Sequence, residues 1–244
     1  MLESGSSYVR AAPGGIGAPT ILPGGRDGTQ AVSFYARSNA LAALPGWTFS
    51  ADYALERNSL NDLEAWAGRV QAQYVFAEAS WSPTILYGYQ TFSGDDPDTP
   101  ALERFDPLYY EGNPNAWSTG SKSSMAFINS NVNAHSLSVR VQPTARDTLT
   151  LRYARIRANE LRSPIQFGQA TRVDIVGATA NVVAGVTDPH LADDVFLEYN
   201  RVISRHLFLS GGVAVSRPGK GIREVTQSAP PNWSGGYVNV VVNY

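Results

Sequence analysis

Polar and apolar residues alternate with a period of two along most of the chain beyond residue 30. Between Trp47 and Glu56, Phe49, Ala51, Tyr53 and Leu55 fall on one side, and Ser50, Asp52, Ala54 and Glu56 on the other. Successive side chains of a strand point to opposite faces, so this segment reads as a two-faced ribbon. The pattern returns with Trp66, Gly68, Val70, Ala72, Tyr74 and Phe76 set against Ala67, Arg69, Gln71, Gln73 and Val75. It recurs around Ile85, Tyr87 and Tyr89, around Leu137, Val139 and Val141, and around Leu149, Leu151 and Tyr153. Three later runs follow: Val195–Tyr199, with Phe196 as an apolar exception on the polar side, then Leu207–Val215, then Val238–Tyr244. With a less regular segment at 32–39 these make nine strands, and Ser7–Ala11 is a weak tenth. Most run to about 9–12 residues, enough for a tilted crossing of the hydrocarbon region and longer than the usual soluble strand.

The connections alternate in length. Breaks near Ala43-Leu44-Pro45-Gly46, Glu78-Ala79-Ser80, Pro143-Thr144-Ala145-Arg146 and Ser204-Arg205 are short. Those at 94–133, 159–192 and 217–232 are long, and only the one near Asn58–Asp62 is brief. Short turns at one rim and long loops at the other are the pattern of outer-membrane barrels, and loops facing outward would put the C-terminus on the periplasmic side. The expected organisation is a Gly/Pro-rich segment at 1–30, followed by transmembrane β-strands over 31–244. The start, Met1-Leu2-Glu3-Ser4-Gly5, lacks the basic and apolar regions of a leader. Nine or ten strands, with no leader, are therefore expected to be part of a wider barrel. The stretch Ile165–Val186 has enough Val, Ile and Ala to be partly ordered, as a gate, a cover or an exposed loop.

Composition narrows the function classes. There is no cysteine, which removes disulfides and thiolate metal sites. A formal net charge of -2, from 19 basic and 21 acidic residues, gives no sign of a nucleic-acid binder. The 12 Tyr and 5 Trp suit the headgroup level of a membrane, although a soluble β-sandwich can hold the same totals. His135, His190 and His206 have no metal-binding spacing, and no Gly-x-Ser-x-Gly elbow is present, so an enzyme is not expected.

The stretch Tyr87-Gly-Tyr-Gln-Thr-Phe-Ser-Gly-Asp-Asp-Pro97, followed by Phe105-Asp-Pro-Leu-Tyr-Tyr110, resembles the alginate-export family of outer-membrane proteins. His190-Leu-Ala-Asp-Asp194, opening a strand, is similar to that family's late region. The resemblance spans roughly 30–244 and corresponds to the family's C-terminal half. It implies a wide antiparallel barrel of about 18 strands that passes an anionic uronate polysaccharide across the outer membrane of a Gram-negative bacterium. Implied partners are outer-membrane lipid and lipopolysaccharide, the polysaccharide or a small solute, the outer-membrane assembly machinery, and periplasmic export proteins. The terminal Tyr244 resembles the aromatic assembly signal of such barrels.

Selectivity in such a channel comes from side chains on the polar face. The phase of alternation nominates Asp52, Glu56, Arg69, Gln71, Gln73, Arg140, Arg152, Glu198 and Asn239 as pore-lining. Arginine stays charged and pairs bidentately with carboxylates, so Arg69, Arg140 and Arg152 suit a polyanion, while inward charges also serve to pair with neighbouring acids. Asp95, Asp96 and Asp98 offer oxygen ligands for a loop calcium ion, against the plainer reading of an Asp-Pro turn. Two further readings stand beside the passive channel: a structural or adhesive barrel with a closed lumen, and a soluble carbohydrate-binding β-sandwich.

Overall fold

The computed structural model describes residues 8–15, 19–39, 43–107, 127, 129–165, 175–176, 179–180, 185–226 and 229–244. Nine of the strands form one antiparallel sheet in chain order: β3 (Gln30–Asn39), β4 (Trp47–Asn58), β5 (Leu63–Val75), β6 (Thr84–Phe92), β7 (Val132–Thr144), β8 (Asp147–Ala158), β11 (His190–Ser204), β12 (Leu207–Pro218) and β13 (Trp233–Val242). Two small pairs lie outside it, β1 (Tyr8–Arg10) with β2 (Thr20–Leu22), and β9 (Ile175–Val176) with β10 (Thr179–Ala180). The helix α1 (Lys220–Thr226) follows β12.

Residues directly opposite one another across a ladder share a face. One row runs Phe49, Ala72, Tyr87, Leu137, Tyr153, Val195 and Val215 across β4–β12. The next row on the same face runs Tyr74, Ile85, Val139, Leu151, Leu197 and Val213. The opposite face carries Ser50, Gln71, Gly88, Ser136, Ala154, Asp194 and Ser216 in register. A one-residue slip would move every side chain to the other face, so the alternation fixes the pairing. At the short-turn end, Gly46 takes φ +83 and lies against the Tyr74 ring, where a Cβ would sit 2.9 Å from the ring edge. That backbone region favours glycine.

Three features depart from the expectations. β1 falls on the weak strand foreseen at Ser7–Ala11, but it pairs with β2 and adds no strand to the large sheet. Its Tyr8 and Val9 are buried, a result that three residues achieve by packing against other segments rather than by crossing a sheet. Within 217–232, β12 continues to Pro218 and α1 occupies seven residues. Lastly, the expected barrel wall is, among the described residues, an open sheet: β3 pairs only with β4, and β13 only with β12.

The core lies at one end of the sheet, over its polar face. Ala67, Phe92, Ala134, Ile156 and Ala192 close there against Phe127, Ile165, Val186 and Ile222 of the connections. Beside them, Leu63 and Ala65 pack against Tyr8 and Leu102. The connecting segments thus roof the long-loop end of the polar face. No described helix is long and apolar enough to cross a membrane.

Candidate functional site

The nine residues nominated from the alternation all lie on the polar face in the observed register. They do not form one site. Asp52 stands directly opposite Arg69, and the guanidinium donates to its carboxylate at 2.8 and 2.9 Å. Next along the strands, Ser50 donates to Gln71 Oε1 at 3.1 Å. Gln71, Gln73 and Arg69 line a shallow recess with Tyr35, Arg37 and Thr48. Arg37 was not among the nominated residues; its phase in the less regular segment 32–39 is the signal that places it here.

Arg152 lies opposite Phe196, with its guanidinium 5.7 Å from the ring centroid, and its charge is balanced by Asp194 and Glu198 two positions to either side. Phe196, the apolar exception in the alternation, is therefore a platform for a cation and is also stacked with Tyr237. Glu198 accepts a hydrogen bond from the Tyr237 hydroxyl. Arg140 is exposed near the short turns, where it shares a second recess with Gln142, Arg146, Thr148, Asn200 and Ser210. Asn239 is exposed opposite Ser210.

Glu56 has a different setting. It is only 2% exposed, and its Oε2 accepts the Asp106 N–H at 2.8 Å. Asp106 in turn receives Arg26, whose Nη2 donates at 2.7 Å while Nε bonds the second oxygen. Arg104 and Asp95 are buried in the same region. Asp95 accepts N–H bonds from Ala11 at 2.6 Å and Glu103 at 2.9 Å, with Arg10 at 4.0 Å. The Tyr8 hydroxyl donates to the Arg104 carbonyl at 2.6 Å. Burial pushes the Tyr8 phenol well above its ordinary pKa, so it remains a neutral donor. Burial also raises the Asp95 carboxyl, against the pull of the Glu103 and Ala11 N–H groups and of Arg10 and Arg104. Acids and arginines that are far apart in sequence thus form one buried knot joining the N-terminal segment, β4 and the segment 93–107.

A second pin holds the remaining roof. Asn131, fully buried with φ +54, donates from Nδ2 to the Glu160 carbonyl at 3.0 Å and accepts the Glu160 N–H at 2.7 Å. Its own N–H reaches the Ser93 carbonyl at 3.1 Å. The side chain does for these loops what a ladder does for strands, satisfying backbone groups that water cannot reach.

The aspartates considered for calcium are already engaged. Asp95 is used in the knot, Asp96 Oδ1 accepts the Asp98 N–H at 2.9 Å as in an Asx turn, and Asp98 pairs with Arg162 at 3.2 Å. Among the described residues no group of three or more His, Cys, Asp or Glu side chains is placed to hold a metal ion. His135 and His190 lie on the apolar face and His206 in a short turn, apart from one another in the sheet.

The arrangement therefore has an apolar face, a polar face with paired and unpaired arginines, and a roof over one end. A protein-family model described as alginate export matches residues 29–234 of this chain. No curated protein matches it.

Proposed function

The chain belongs to the alginate export family, a transport family, and from that premise we propose that its sheet is part of the wall of an outer-membrane channel for an anionic polysaccharide. The observation that carries this reading is the register. Through the middle of the strands, row after row places Val, Leu, Ile, Tyr and Phe on one face and Ser, Gln, Asp, Glu and Arg on the other. Such a sheet suits lipid on one side and water on the other.

In this reading the apolar face meets lipid and the polar face lines the aqueous path. Lipid offers no partners for the free backbone groups along β3 and β13, so both edges continue into further wall. Arg69 and Arg152 are neutralised by neighbouring carboxylates, and serve the path by keeping it hydrated and shaped. Arg140, with Arg146 beside it, is a cation open to a passing carboxylate. The roof narrows the other end, so conduction is gated there.

The reading is tested by single-channel conductance of the protein in a planar bilayer, with polyuronate added to one side. The expected result is a stable current reduced by polyuronate and not by a neutral glucan. A current indifferent to both removes the polyanion as cargo. Membrane insertion without any current favours a closed, structural barrel, a version to which the roof lends weight. A folded protein that needs no detergent or lipid overturns the membrane reading altogether.

A further inference from the structure

The apolar face changes character at its long-loop end. Above the row containing Tyr87, Leu137, Tyr153, Val195 and Val215 comes one with His135, Arg155, Asp193 and Arg217 directly side by side on β7, β8, β11 and β12. Arg157, opposite Asn133 and His190, continues it one step further toward the loops. Arg155, Arg217 and His135 are exposed, and Arg157 is half-buried. No described residue forms a salt bridge with Arg155, Arg157 or Arg217.

The acids nearby are occupied. Asp193 accepts the Tyr153 hydroxyl at 2.6 Å and stands 3.0 Å from His190 Nε2. Asp188 and Glu224 are held by Lys220 at 3.2 and 3.4 Å. Rings suited to the headgroup level sit beside and below the arginines: Tyr89, in their row, has its ring 4.7 Å from that of His135, and the Tyr87 hydroxyl, one row down, bonds His135 Nδ1 at 2.8 Å. The same end of β4 and β5 is different, because there Arg57 is matched by Glu64 at 2.9 Å. The cationic patch is thus confined to β7–β12.

We propose that Arg155, Arg157 and Arg217 form a docking site for the phosphate of an anionic lipid headgroup in the leaflet bordering the long loops. This rests on the membrane reading given above. Three guanidiniums that form no salt bridge with a described residue, at the margin of an apolar surface with Tyr87, Tyr89 and Tyr153 close by, match a ligand with an anionic head and an apolar tail. A soluble anion would have no use for the apolar rows beneath.

The test is flotation of the folded protein with vesicles of phosphatidylcholine alone and of phosphatidylcholine doped with phosphatidic acid. The expected result is flotation with both and a preference for the doped vesicles that weakens as salt is raised. Arg155→Gln and Arg217→Gln should each lower that preference about fivefold, while Arg57→Gln leaves it unchanged. All variants should still float with phosphatidylcholine, which certifies their insertion. Equal flotation with the two vesicles overturns the headgroup site and leaves the membrane reading standing. Failure to float with either overturns both. Loss of the preference on adding inorganic phosphate, at an ionic strength where sodium chloride leaves it intact, would make this a free-phosphate site, and would also overturn the proposal.

Discussion

The two ends of the same strands are built on different principles. At the long-loop end, β8 and β12 finish with every second residue buried, because the roof covers the polar face while the apolar face stays exposed. At the short-turn end neither face is covered, and β7 ends in a run of exposed or half-buried positions. One end is held by tertiary contacts between segments distant in sequence, the other by the ladder, its turns and side-chain pairs between neighbouring strands such as Arg201 with Asp147 and Trp47 with Tyr74. Charges follow the same division: Glu56 and Asp106 are sealed, with Glu56 accepting the Asp106 N–H, Asp106 holding Arg26 and Arg104 buried beside them, whereas Arg140 faces open space. Buried polar groups without partners are costly, so the sealed end tolerates few substitutions, while the open end is free to vary and to meet a solute.

The sharpest way to break this contrast is to remove Asp106. Asp106→Ala leaves Arg26 without its bidentate acceptor in a mostly buried position, which costs about 3–5 kcal/mol. The cost should fall on the roof. Limited proteolysis should cut the N-terminal segment and residues 93–107 early while the strand signal in circular dichroism persists. Conductance of the variant should rise. Loss of the strand signal together with the roof would mean that the sheet depends on the knot, and the two-region picture would fail.

Next in size is Asn131→Ala. The substitution strands the Glu160 N–H and carbonyl and places alanine at a positive φ, for about 2–3 kcal/mol in chemical denaturation. Asn131→Gly lacks the same hydrogen bonds but is at ease in that backbone region, and should be less destabilised by about 1 kcal/mol. Equal losses in the two variants would show that the side-chain bonds alone hold the pin.

Smaller effects should separate two aspartates within the roof by the sign of their pH dependence. Asp95 has its pKa raised by burial, so the folded state holds the proton more tightly than the unfolded chain. Its contribution is greatest below the ordinary value of 3.8 and falls as pH climbs through the raised folded value. Asp188 is shifted the other way, by the His190 N–H and then by Lys220. Its contribution is complete above 3.8 and is lost as pH falls through the lowered value. Amide exchange measured against pH should give opposite slopes near Ala11 and near His190, removed respectively by Asp95→Asn and Asp188→Asn. Parallel slopes at both places would mean that a shared opening of the roof governs exchange.

The same division marks what could be read from the sequence. Nine strands and both faces were legible because a strand writes its two sides into every second residue, and Asp52, Arg69 and Arg152 took their face from that rule alone. The roof follows no such local rule. Glu56 and Asp106 lie 50 positions apart and Arg26 and Asp106 lie 80 apart, and nothing in any of these neighbourhoods announces the partner. Glu56 lies on the face its phase assigns, and its burial under the roof comes from segments its neighbourhood does not encode. Asp95 and Asp96 looked alike in the sequence, yet one is buried among N–H donors and the other makes a turn with Asp98. Phe196 looked like a fault in the alternation until Arg152 came to rest above it. Closure of the wall is likewise a property of whatever meets β3 and β13, which alternation within a strand does not encode.

The smallest change in stability is expected where the greatest change in transport is. Arg140→Gln removes an exposed charge that opposes Thr84 and Thr150, so unfolding should move by no more than about 0.5 kcal/mol. Its guanidinium nonetheless supplies part of the open positive potential at the unroofed end, and block by polyuronate should weaken severalfold, more at low salt than at high. Arg69→Gln is the counterpart in the same wall: its partner Asp52 is left unpaired, so stability should suffer while polyuronate block, now facing a bare carboxylate, also weakens. The two arginines are told apart by stability, not by block. A version of Arg140→Gln that blocks as the parent does would move the polyanion's path off this recess, leaving Arg37 at the other one as the cation to examine.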